Sequence, residues 1–313
     1  MMTEIPIFFS IDDAYAPFLA TALSSAIRNS NTDRRYRAII LHQSLSEVHR
    51  KRLATLAREH FAIEFVPMMQ GLESITDRLS NRLRFDCFTL TIYFRLFIPA
   101  MFPQYDKGIY IDSDILVLGD LAELFDTDIG ENYFGACSDL SVLEVEPLCE
   151  YMENVVGVNR GDYINSGVLL MNLKKLREAE LDKHFLYLLN KYHFDSVAPD
   201  QDYLNALCSG KIFYLDHRWN TMPNEAKAPV SDAKLIHYNL YSKPWCRDGV
   251  QYGEYFWEYA KGSGYLAEIA RYKKEHLPKH DGVRVLIERA VNISRTEEIT
   301  LRKMHERGER IRL

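Results

Sequence analysis

The first hundred residues switch repeatedly between two hydrophobic periods, and this limits the fold more than any other feature of the chain. IPIFFS (5–10) is a short apolar run that predicts a strand, and YAPFLATALSSAIRN (15–29) carries its apolar residues at helical spacing. The pattern repeats with a strand at YRAIILHQ (36–43), a helix at SEVHRKRLATLAREH (46–60) opened by Ser46, a strand at FAIEFVPM (61–68) and a helix at TLTIYFRLFIPAMF (89–102). Repeated βα units predict an α/β fold with a mostly parallel central sheet and right-handed crossovers. Ligands of such sheets bind at the carboxyl ends of the strands.

Two acidic segments fall at such ends, SIDDAY (10–15) and KGIYIDSDILVLGDL (107–121). In the second, apolar residues flank Asp112 and Asp114 on both sides, which reads as one buried strand. Residues i and i+2 of a strand share a face, so both carboxylates would point the same way. Burying two like charges together is costly, and a divalent cation is the economical compensation. Asp-x-Asp alone is a weak signal, and Asp and Ser are also turn formers that would simply end the strand at Ile111.

Beyond Asp120, strands are expected at NYFGACSD (132–139), YINSGVLLMNLKKL (163–176), KIFYLDHRWN (211–220) and AKLIHYN (233–239). A loop holding Pro147 and Cys149 separates the first two, and DQDYLNALCSG (200–210) reads as a helix closed by Gly210. A lone His such as His237 at a strand end is more often structural than a ligand. It gains interest because Asp112 and Asp114 lack a third protein ligand. Mixed oxygen and nitrogen ligation favours Mn²⁺, with Mg²⁺ the alternative, and leaves positions for diphosphate oxygens. With no P-loop and no Gly-x-Gly-x-x-Gly, the metal and Lys243 would have to supply the positive charge.

In APDQDYLN (198–205), Pro199 followed by acids is a good helix start, yet capping needs only one of Asp200, Gln201 and Asp202. Asn165 lies before an apolar run, where a pocket would open. Asp12, Asp13 and Tyr15 either cap the first helix or hold a nucleoside, with Tyr15 stacked on its base.

Composition narrows the class. Of 313 residues, 47% are hydrophobic and 26% charged, ordinary for a globular enzyme, and no eighteen-residue apolar run exists. The start, MMTEIPIFFSIDDAYA, lacks a basic n-region and a cleavage site, and the five cysteines form no C-x-x-C pair. A cytoplasmic protein is the expectation. The net charge of −6 includes a basic end: from Arg271 to Leu313, twelve Lys/Arg face seven Asp/Glu. An acidic body argues against nucleic acid as a partner, whereas a basic tail suits an anionic surface.

FFSIDDAYAPFLATALSSA, TIYFRL, KGIYIDSDILVLGDLAELFDTDIGENYFGAC, YINSGVLLMNLKKLRE, PDQDYLNAL, HRWNTMP and IHYNLYSKPW occur in the order and spacing of family 8 retaining glycosyltransferases. Over about residues 5–260 the chain resembles this family, and within it the bacterial lipopolysaccharide galactosyl- and glucosyltransferases. The resemblance implies a GT-A fold and a catalytic domain over 1–261, followed by a basic helical tail over 262–313. It also implies a UDP-glucose or UDP-galactose donor, Mn²⁺, and a glycan or lipid-linked acceptor. Carried over by position, Asp112, Asp114 and His237 would bind the metal, and Lys243 the diphosphate. Asp12 and Tyr15 would hold the uridine, with Ser113 among the nucleotide contacts. Arg95, Asn165, Asp200, Gln201 and Asp202 would surround the transferred sugar. Two positions depart from the pattern: Ala14 stands where the family often has Asn, and Leu240 where it usually has Gly.

The implied reaction retains the sugar's configuration. In a same-face route the departing phosphate takes the acceptor proton, whereas a double displacement would need Gln201 or Asp202 as nucleophile. Two other classes are weighed. A nucleotidyltransferase making nucleotide sugars wants a Gly-rich basic loop after the first strand, where SIDDAYAPF is acidic. A non-catalytic sugar-binding module would not need Asp112, Asp114 and His237 together. In the tail, Val283, Leu286, Ile287, Ala290 and Val291 fall on one helical face, and Ser294 with Glu297 reads as a capping box opening a second helix that carries Arg302, Lys303, Arg307, Arg310 and Arg312. The tail either packs on the body or anchors the enzyme at the inner face of the membrane.

Overall fold

A computed structural model describes residues 4–68, 74–78, 81, 90–275 and 282–313. Nine strands run in chain order among them: β1 Glu4–Ile11, β2 Arg35–His42, β3 Phe61–Pro67, β4 Gly108–Ile111, β5 Ile115–Val117, β6 Phe134–Ala136, β7 Val168–Met171, β8 Ile212–Tyr214 and β9 Leu235–His237. The main sheet has the order β3-β2-β1-β4-β7-β6-β8, and β5 pairs with β9 in a separate two-stranded sheet. Only β7 runs against its neighbours in the main sheet, so the expected mostly parallel α/β sheet is present.

β1 is apolar throughout because both its faces are covered. Ile7, Phe9 and Ile11 enter the core that includes Leu19, Leu23 and Ile40; Phe8 enters the opposite core with Ile39, Leu41 and Tyr110. Helix Ala16–Arg28 follows β1, and Ser46 caps helix Glu47–Ala54 by accepting the His49 N–H.

Four expected elements divide. The strand through Asp112 and Asp114 stops at Ile111, and the chain crosses from the main sheet to the small one before β5 begins. The stretch expected as a helix over 89–102 is a 3₁₀ helix at Leu90–Leu96 and a short α-helix at Ile98–Met101; residue 89 lies outside the described residues. Bulky and β-branched residues at 91–94, and Pro99 further on, disfavour one continuous α-helix. The run 163–176 yields β7 and then helix Leu173–Glu178, because Asn172 accepts the Lys175 N–H and caps it. Similarly, 211–220 is β8 followed by a 3₁₀ turn at His217–Asn220. The loop before Tyr163 contains helix Glu146–Tyr151 and a π-helical turn, Met152–Val156.

Residues beyond 262 form helices Leu266–Glu275, Gly282–Thr296 and Leu301–Glu306. Ala290, Ile293, Leu301, Met304 and Ile311 are buried in the same core as Leu148, Val155 and Leu207. The expected capping box does not form: Ser294 lies inside a helix and donates to the Ala290 carbonyl, while Thr300 caps the next helix. Of the apolar face expected at 283–291, Ala290 is buried and Leu286 and Ile287 pack against that core, whereas Val283 is exposed. Among the described residues no helix is long and apolar enough to cross a membrane.

Candidate active site

The break between β4 and β5 builds the site. Asp112 follows the last residue of β4, and its N–H still bonds the Gly167 carbonyl beyond β4's partner β7 (2.9 Å). Asp114 precedes β5, whose first residue Ile115 pairs with His237 at the end of β9. Three strand ends from two sheets thus meet, and one ligand atom from each of Asp112, Asp114 and His237 lies within 4.8 Å of the others. The two carboxylates converge through a turn between sheets, not through the alternation of one strand.

His237 Nε2 stands 3.4 Å from Asp114 Oδ1 and 3.8 Å from Asp112 Oδ2. The Lys243 ammonium bonds Asp114 and the Tyr238 carbonyl, while Arg95 Nη2 lies 2.9 Å from Asp112 Oδ1. Burial raises the Asp112 carboxyl, opposed by Arg95 and reinforced by Asp114. Burial also acts to raise Asp114, but the charge of Lys243 and the bonds of His237 bring it below the usual range. The site thus combines two carboxylates, one imidazole and two flanking cations, which fits a divalent ion that also holds phosphate.

Arg95 is buried. It ties Asp112 to Asp200, whose Oδ2 lies 3.2 Å from Nε, and its Nη1 donates to the Ser166 carbonyl at 2.6 Å. Gln201 Oε1 accepts the Ser166 N–H at 3.0 Å, and Nε2 donates to Asp139 Oδ2 at 3.0 Å. Asn165 also donates to Asp139 Oδ2, at 3.1 Å. These side chains line one cleft with Asp12, Tyr15 and Ser113. Asp12 is also a cap, since its Oδ1 accepts the Tyr15 N–H.

Asp202 does not share that cleft. It is fully buried, and its carboxylate accepts from the hydroxyls of Tyr151 (2.6 Å), Tyr163 (2.6 Å) and Ser196 and from the Ala198 N–H. Its work is to fix the start of helix Pro199–Leu207, so that Asp200 and Gln201 face the opening.

Sequence reasoning missed Asp139, Gly167 and Asn220. Asp139 follows shortly after β6, where the strand-end rule that flagged Asp112 also applies. Leu240 has φ of +49°, so it adopts the left-handed backbone that its expected glycine would hold without strain.

A mostly parallel sheet with paired acids beyond its central strand and a cleft at the strand ends defines a GT-A glycosyltransferase. The chain belongs to glycosyl transferase family 8, whose model matches residues 6–249. It is 30% identical over 220 residues to a putative glycosyltransferase of Haemophilus influenzae, covering 70% of this chain and 64% of that protein. It is 31% identical to lipopolysaccharide 1,2-glucosyltransferase of Escherichia coli K12, over 54% of this chain and 53% of that one. The chain therefore spans under two thirds of the length of both relatives. Among solved structures, the galactosyltransferase LgtC in complex with donor and acceptor sugar analogues is 30% identical, with a TM-score of 0.70 over 82% of this chain and 96% of that one.

Proposed function

We propose that the chain transfers a hexose, glucose or galactose, from a UDP-sugar to a hydroxyl of a glycan or lipid-linked acceptor, with Mn²⁺ and with retention at the anomeric carbon. The convergence of Asp112, Asp114 and His237 at the floor of the cleft, flanked by Lys243 and Arg95, carries this reading. The lipopolysaccharide glucosyltransferase and galactosyltransferase relatives support the hexose and an acceptor of that class.

In this reading residues 1–261 are the catalytic domain and 262–313 its helical tail. Asp112, Asp114 and His237 would hold the ion, which when bound neutralises diphosphate and stabilises the leaving UDP. Lys243 exchanges Asp114 for a diphosphate oxygen. Tyr15 stacks on the uracil, while Asp12 and Ser113 bind the nucleotide. Asp139, Asn165, Asp200 and Gln201 orient the sugar, and Arg95 ties Asp112 to Asp200.

The bond from the anomeric carbon to phosphate breaks as the acceptor oxygen bonds on the same face, and the acceptor proton passes to the departing phosphate oxygen. Two observations favour this route over a double displacement. Gln201 is an amide, a poor nucleophile, and Asp202 does not line the cleft, its oxygens being taken up by the hydroxyls of Tyr151, Tyr163 and Ser196.

The test is UDP release from UDP-glucose and UDP-galactose, each with and without Mn²⁺, followed by proton NMR of the product. An α-glycoside formed only with Mn²⁺ is expected. A β-anomer, or equal turnover in a chelator, would refute the mechanism.

A further inference from the structure

Asn220 ends the 3₁₀ turn His217–Asn220 and is buried behind His237. Its Nδ2 donates to Asn165 Oδ1 at 3.0 Å, and its Oδ1 lies 3.0 Å from His237 Nδ1. Which way each amide points, and hence where the imidazole proton sits, follows from what each neighbour can do.

Asn165 is oriented twice over. Its Oδ1 receives the backbone N–H of Gly167 at 3.0 Å, and a backbone N–H can only donate. Its Nδ2 faces Asp139 Oδ2 at 3.1 Å, an oxygen that also accepts from Gln201 Nε2. Asn165 Oδ1 therefore has only lone pairs to offer Asn220, which must present Nδ2 to Asn165 and Oδ1 to His237. An amide oxygen also only accepts, so in the neutral ring the proton lies on Nδ1. The lone pair is then on Nε2, the nitrogen that stands 3.4 Å from Asp114 Oδ1 and 3.8 Å from Asp112 Oδ2.

We infer that Asn220 is a positioning residue of the metal centre: it holds His237 as the Nδ1–H tautomer, in an orientation imposed through Asn165 by Gly167 and Asp139. The inference rests on the metal reading above. It adds a directional chain of amides from the sugar side of the cleft (Asp139) to the metal side (His237), so the ligand is set before an ion arrives. Partners that fix the second nitrogen of a ligating histidine are typically worth about ten- to a hundredfold in metal affinity.

The experiment is histidine-selective ¹⁵N NMR of the full-length, metal-free protein, with pH raised until the His237 ring is neutral, together with Mn²⁺ titration by calorimetry. Wild type is expected to show protonated Nδ1 and pyridine-like Nε2. Asn220→Asp keeps an acceptor for Nδ1–H but loses the donor to Asn165 Oδ1, so it is expected to keep the Nδ1–H spectrum while losing the tie to Asn165. Asn220→Leu is expected to lose the Nδ1–H signature and to bind Mn²⁺ about ten- to a hundredfold more weakly. A neutral wild-type ring protonated at Nε2 would overturn the inference, and so would a folded Asn220→Leu protein with unchanged tautomer and affinity. Should Asn220→Leu not fold, the spectra of wild type and Asn220→Asp decide. If wild type shows Nδ1–H yet binds no Mn²⁺, the amide chain stands and the metal reading falls.

Discussion

A Cβ on Gly167 would stand 2.2 Å from Cε1 of His237 and 2.8 Å from Oδ2 of Asp112. The space of one missing methyl thus lets two of the three proposed ligands converge. Gly167→Ala is expected to push both aside, weakening Mn²⁺ binding by about tenfold or more. The same overpacking should lower stability by about 1–3 kcal/mol. Calorimetric titration with Mn²⁺, beside urea unfolding, checks both. Wild-type affinity in the variant would mean that the ion binds elsewhere.

Lys243 neutralises Asp114 when no ion is present. Lys243→Met should therefore bind Mn²⁺ more tightly than wild type in the absence of nucleotide. With Mn²⁺ saturating, it should lose about 1.5–3 kcal/mol in UDP affinity, the worth of a hydrogen bond to a charged group. Opposite signs in the two titrations distinguish an exchanging lysine from one that merely supports the fold.

Asp202 predicts a stability effect with a pH signature. Burial raises its carboxyl above 3.8 in spite of the hydroxyls of Ser196, Tyr151 and Tyr163, which favour the ionised form. The folded protein thus holds this proton more tightly than the unfolded chain does. Its contribution is greatest below 3.8 and is lost as pH rises through the raised folded value. Asp202→Asn should flatten that decline. Asp202→Ala should cost about 3 kcal/mol by leaving buried hydroxyls without acceptors, measured by urea unfolding at several pH values.

The positive φ of Leu240 costs on the order of 1–2 kcal/mol, which glycine would relieve while adding a similar entropy to the unfolded chain. Leu240→Gly should accordingly leave stability within about 1 kcal/mol of wild type. Because Leu240 lines the cleft, the substitution should also open room at the phosphates and raise UDP affinity. A large loss of stability would show that the Leu240 side chain matters more than its backbone.

Legibility in the sequence followed the range of the interaction. The alternation of apolar runs identified β1, β2 and β3 and the helices between them, because each run reports its own burial. Asp112, Asp114 and His237 stood out as polar residues at the ends of apolar runs, a local contradiction visible without a fold. The reason they converge was not visible, since it depends on β4 and β5 belonging to different sheets. Asp202 sat among residues that line the cleft and was grouped with them; only helix phase and the positions of Tyr151 and Tyr163 turn it away. Gly167 and Asn220 carry no local signal, as one acts by an absent side chain and the other through two residues distant in sequence.

The central claim is that Asp112, Asp114 and His237 form the metal site of a UDP-sugar-dependent transferase, and Asp114→Asn tests it most directly. The substitution removes one charge at nearly constant volume. The variant should unfold at close to the wild-type denaturant concentration, yet release no UDP from either UDP-glucose or UDP-galactose above the rate seen in chelator, at any Mn²⁺ concentration. Mn²⁺-dependent UDP release by Asp114→Asn at the wild-type rate, with saturating UDP-sugar, would contradict it.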